Sequence, residues 1–127
     1  MVDQIKELSL QIKKERGDIY LLALLQMDEL IDIWSIIISA PWITEQNRGK
    51  SFIYIRDKVA KLLTIEQMNS IARLGVFTKD IHIVEELMKY KVGTEFTHDR
   101  KVNGNVVHAG YIIASNSDAS EQVELNL

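Results

Sequence analysis

The chain has 127 residues, 46% of them hydrophobic and 26% charged, which is one domain's worth of ordinary globular composition. A formal charge of −3 is too small to draw in nucleic acid or a membrane surface, and the lack of cysteine excludes disulfides, thiolate zinc sites and thiol catalysis. No run nears the roughly 18 apolar residues that span a bilayer, and no cationic-then-apolar leader opens the chain, so a cytoplasmic location is expected.

The first predicted element is a helix over 3–16, where Ile5, Leu8 and Ile12 recur at helical spacing. Lys13, Lys14 and Arg16 suit the negative end of its dipole, and Gly17 can close it in a left-handed conformation. Two strands follow, over 19–27 and 33–40, and both are apolar on both faces. Ile19, Leu21, Ala23, Leu25 and Met27 point one way, and Tyr20, Leu22 and Leu24 the other. Trp34, Ile36, Ile38 and Ala40 alternate with Ile33, Ser35, Ile37 and Ser39. The short join over 28–32 predicts an antiparallel hairpin, and Ala40-Pro41 ends the second strand because proline donates nothing to a ladder. A sheet resting on one helical layer alternates apolar and polar residues, so this ribbon needs cover on both sides. A chain of this length is expected to find the second cover in another copy of itself, as a homodimer.

Residues 44–50 are polar and include Gly49, after which Phe52, Ile55, Val59 and Leu62 predict a helix covering at least 51–63. Thr64-Ile65-Glu66-Gln67 is a capping box that starts a short helix. A third strand is expected over 71–77, with Arg73 and Gly75 its irregular members. Asp80 is expected to cap a helix through about Tyr90, with Ile81, Val84, Leu87 and Met88 inside and Gly93 beyond its end. Strands over 94–102 and 105–115 flank Asn103-Gly104, the pair that accepts positive φ in a type I′ turn. That turn sets Val102 opposite Asn105, Asp99 opposite His108 and Phe96 opposite Tyr111, unless a bulge at Gly110 shifts the far end. Residues 116–127 read as a flexible acidic tail behind a single domain over 1–115. The fold class is α+β, in the order α-β-β-α-α-β-α-β-β, with helices packed on a mixed sheet of about five strands.

Candidate chemistry is sparse. Asp99 and His108 form the one acid–imidazole pair placed in register, with His108 as base or acid and Asp99 as its orienter. The plainer alternative is an ordinary cross-strand polar pair. Asp28, Glu29 and Asp32 crowd one turn but lack the alternation of a calcium loop, so a solvated turn is expected there. His82 is expected at the surface, and the basic residues are scattered without an aromatic ladder, which argues against nucleic-acid binding. Trp34 is expected in the core, whereas Trp42, beyond the strand end, can line a pocket or an interface. No metal or cofactor is called for.

Residues 46–51, Gln-Asn-Arg-Gly-Lys-Ser, are similar to the pyrophosphate loop of GCN5-related acetyltransferases, Q/R-x-x-G-x-G/A. That resemblance implies acyl-CoA binding through Gln46, Gly49 and the N-terminus of the helix that follows. A longer match involves Trp34-Ser35-Ile36-Ile37-Ile38-Ser39-Ala40-Pro41-Trp42 and Tyr111-Ile112-Ile113-Ala114-Ser115. These segments resemble small bacterial proteins of unknown function with a W-D-hydrophobic-hydrophobic-hydrophobic-S-A-P-W core, although Ser35 stands where the pattern has Asp. That group implies an accessory protein of mobile genome regions and brings no catalytic residues. The leading expectation is a non-enzymatic homodimeric interaction module with an unknown protein or small-molecule partner. The alternative is a small acyl-CoA-dependent or other ligand-binding enzyme, with His108, Asp99, Trp42, Gln46 and Gly49 as its ligand-binding candidates.

Overall fold

Six strands form one mixed sheet in a computed structural model that describes residues 1–27 and 33–116. The elements are α1 (Val2–Arg16), β1 (Leu21–Met27), β2 (Trp34–Ser39), α2 (Arg48–Leu62), α3 (Ile65–Asn69), β3 (Ile71–Phe77), α4 (His82–Leu87), β4 (Glu95–Phe96), β5 (Arg100–Val102) and β6 (Asn105–Ser115). The order across the sheet is β3-β2-β1-β6-β4, with β5 also pairing to β6. The α+β class and nearly all of the element order follow the sequence pattern. One expected strand is divided: 94–102 becomes β4 and β5, so the sheet has six strands rather than five. The acidic turn at Asp28, Glu29 and Asp32 and the tail from 117 onward lie outside the described residues. Among the described residues, no helix is long and apolar enough to cross a membrane.

The greasiest strand takes the central position. β1 pairs antiparallel with β2 on one side and β6 on the other, and every residue from Leu21 to Leu25 is buried. Leu22 and Leu24 enter a core with Ile36 and Ile38, closed by Ile5, Leu8 and Ile12 of α1 and Ile55 and Val59 of α2. Leu21, Ala23 and Leu25 enter a second core with Ile37, closed by Ile83, Val84 and Leu87 of α4 together with Phe96 and Val102. The chain therefore covers both faces of the first hairpin by itself. This overturns the premise that a second copy is needed to hide the outer face.

Local chemistry accounts for most element ends. Gly17 closes α1 at φ +100°, its N–H reaching the Lys13 carbonyl at 3.1 Å. The Thr64 hydroxyl accepts from the Gln67 N–H at 3.1 Å, while the Gln67 amide oxygen accepts from the Thr64 N–H at 3.0 Å. Asn103 and Gly104 take φ of 51° and 78°, as the type I′ turn requires. β2 and β3 run parallel, and α2 and α3 supply the crossover that parallel neighbours demand.

The helix expected over at least 51–63 runs over Arg48–Leu62, with Asn47 as its N-cap residue. Two expectations are corrected. Asp80 does not cap α4: its carboxylate accepts from the Thr78 hydroxyl, Ile81 takes the N-cap, and the helix ends at Leu87 instead of near Tyr90. Phe96 lies opposite Gly110, and Glu95 opposite Tyr111. Thr97 and His98 stand between Phe96 and Asp99, whereas only Ala109 separates His108 from Gly110, and this extra residue shifts the register by one.

Ser39 is fully buried, and its hydroxyl has no hydrogen-bond partner among the described residues. An orphaned buried hydroxyl is costly, so Ser39→Ala is expected to gain about 1 kcal/mol and raise the thermal midpoint. A lowered midpoint would show that the hydroxyl has a partner.

Candidate functional site

The sequence candidates do not converge. His108 Nδ1 lies 2.8 Å from Asp99 Oδ1, so the expected pair forms. His108 also occupies an irregularity of the β1–β6 ladder, where Gln26 pairs with Ala109 and Met27 with Val107. The β5–β6 register set by the turn places His108 beside Asp99. Asp99 is 69% exposed, and no group of three His, Asp or Glu side chains assembles among the described residues. Exposed ion pairs contribute little, so Asp99→Asn is expected to change urea-measured stability by less than about 1 kcal/mol.

Trp42 packs inward between helices. Its ring meets Tyr54 edge-on at 6.0 Å, and the Arg16 guanidinium lies 5.8 Å from Trp42 and 4.3 Å from Tyr54. The Tyr54 hydroxyl donates to Glu15 at 2.7 Å, and Lys58 reaches the same carboxylate at 2.6 Å. Burial, reinforced by the Glu15 hydrogen bond, pushes the Tyr54 phenol up to about 12. With the folded value above the unfolded one near 10, this contribution is intact below about pH 10 and lost as pH rises through about 12. Ultraviolet titration of the phenols is expected to lose its latest step in Tyr54→Phe.

Residues 46–51 straddle the start of α2 rather than forming an open loop. Asn47 Oδ1 accepts from the Thr44 N–H at 2.8 Å and from the Ser51 hydroxyl at 3.1 Å, while its Nδ2 donates to the Trp42 carbonyl at 2.8 Å. Ser51 is buried and Gln46 is exposed, but Gly49 meets a cleft. No side chain caps the N-terminal N–H groups of α2, so its partial positive charge is left available.

That cleft encloses about 620 Å³ and follows β3. All five residues 73–77 line it. Successive strand residues point to opposite faces, so a cleft touching five in a row runs along the strand edge rather than across one face. Arg48, Gly49 and Phe52 wall it from α2, and Ile37 and Ile83 from the α4 side. A smaller cavity of about 160 Å³ continues the groove past residues 71–74, between Arg56, Val59 and Met68. Arg48 Nε donates to the Val76 carbonyl at 3.0 Å, and its guanidinium lies 5.7 Å from the Phe77 ring. Arg73 is exposed and has no hydrogen-bond or ion-pair partner among the described residues.

Among the described residues, the charged groups lining the two cavities are Arg48, Arg56 and Arg73. Guanidinium keeps its proton at any working pH, so these groups can hold an anion but cannot shuttle a proton. The cleft is equipped for binding. Sequence reasoning missed its central residues, although the irregular pair Arg73 and Gly75 was the available signal. In comparisons with known proteins, no family model, no curated protein and no solved structure matched this chain.

Proposed function

We propose that this chain is a non-catalytic interaction module that takes its partner into the groove along β3. The observation that carries this reading is an apolar cleft aligned with a sheet edge that, among the described residues, is unpaired and carries arginines as its charged groups. An unpaired strand edge offers a row of backbone donors and acceptors, and flanking pockets add selectivity for side chains. The role fits the accessory character suggested by the resemblance to the W-D-hydrophobic-hydrophobic-hydrophobic-S-A-P-W pattern, from which this chain departs at Ser35.

Homodimerisation, expected from the first hairpin, loses that support because α4 covers the second face. A second copy could still add at β3, but edge-to-edge pairing would bring two sets of Arg48, Arg56 and Arg73 to one seam. An acidic partner is favoured instead. The acyl-CoA alternative keeps one supporting feature, the uncapped start of α2 with Gly49 facing the cleft. A coenzyme A thermal shift abolished by Gly49→Val would favour that second reading.

The test is to pan a random-peptide phage library against the immobilised full chain and then rescreen on Arg73→Asp. Enriched clones that lose binding to the variant are expected. Enrichment of no Arg73-dependent clone would sink the interaction-module reading.

A further inference from the structure

We infer that β3 recruits an extended acidic segment of a partner protein as a seventh strand, with two carboxylates four residues apart facing α2 and apolar side chains facing α4. The inference rests on the interaction-module reading above and adds the partner's chemistry.

β3 ends the sheet, and its residues 73–77 pair in unbroken register with β2, past a shift at Ala72, so that stretch of backbone is already extended for a further neighbour. Its outer side pairs with no strand among the described residues. The two cavities between them touch every residue of β3, giving a partner strand a groove on each side.

The faces differ in chemistry. Gly75 pairs with Ile37, which belongs to the α4-side core, so Arg73, Gly75 and Phe77 share that face, whereas Ile71, beyond the register shift at Ala72, packs toward α2. Ile37, Phe77 and Ile83 make its wall apolar around Arg73, which shares that face. Toward α2 stand Arg48, beside Val76, and Arg56, beside residues 71–74. Their nearest carboxylates, Glu45 at 3.7 Å and Asp57 at 3.3 Å, form exposed pairs that a partner can replace at small cost. Arg48 and Arg56 are eight residues apart on one helix, about 12 Å at 1.5 Å per residue. Residues i and i+4 of a strand are about 13 Å apart and lie on one face. The two spacings match.

The test uses the full chain and an end-blocked, fluorescein-labelled peptide, Val-Glu-Val-Ser-Val-Glu-Val-Ser-Val, followed by fluorescence anisotropy. The glutamate peptide is expected to bind at least about tenfold more tightly than the same peptide with lysine at both glutamates. Arg56→Glu should reverse that preference, and bound peptide should slow amide exchange in β3. Equal binding of the two peptides, or no reversal in Arg56→Glu, overturns the inference. No binding of either peptide, while Arg73-dependent phage clones exist, overturns the acidic-strand chemistry and leaves the interaction module standing. If those clones are also missing, the module itself fails.

Discussion

Leu24→Ala and Leu25→Ala are each expected to lower stability by about 2–5 kcal/mol, equal losses from two adjacent residues. Both side chains are almost completely buried, at 1% and 0% exposure, but they enter different cores. Leu24 packs beneath α1 and α2, and Leu25 beneath α4 and Phe96. In a sheet covered on one side, one truncation would be severe and the other nearly neutral. Here both leave cavities in close-packed surroundings. Urea unfolding followed by circular dichroism measures each loss. A cost below about 1 kcal/mol for Leu25→Ala would show that the α4 side is not a packed core. Each loss is a large fraction of the whole stability of an ordinary domain.

The sequence revealed local chemistry far better than spatial neighbours. The Thr64 capping box, the Asn103-Gly104 turn and the Gly17 helix end depend on a few adjacent residues, and each forms as expected. The two-faced hairpin was also legible, because Leu21 to Leu25 leaves no polar face. What covers that hairpin was not. α4 is short, with six residues, and its side of the sheet depends on the path of the chain after β3. Counting potential covers therefore gave one too few and suggested a dimer. Strand order limited the site in the same way. Arg73 and Gly75 spoil the strand pattern, but only the order β3-β2-β1-β6-β4 reveals that this strand is an edge. Arg48 joins them because the crossover returns α2 alongside β3, a contact spanning 28 residues. His108 and Asp99 were easier to pair, since a tight turn fixes the register.

Gly110→Ala is expected to cost about 1–3 kcal/mol, and Gly110→Val more, although Gly110 has no left-handed backbone to protect. The reason is volume. A Cβ there would lie 2.7 Å from Leu25 Cδ2, 3.0 Å from Phe96 Cδ2 and 3.1 Å from the Leu24 carbonyl oxygen. The first two atoms belong to packed side chains of the α4-side core, and the third is backbone of the central strand. Relief requires β6 to move away from β1, and that disturbs the most extensive strand pairing in the sheet. Gly75 provides the control. A Cβ at Gly75 would meet the Phe77 ring at 2.5 Å, but the crowded atoms are the far end of a half-buried side chain that lines the cleft. Gly75→Ala can displace that ring outward, so it should alter partner binding more than folding. Urea midpoints and Arg73-dependent peptide affinity, measured on both variants, separate the two roles. If Gly75→Ala proves the more destabilising, Phe77 is a structural prop of the sheet rather than a wall of the binding groove.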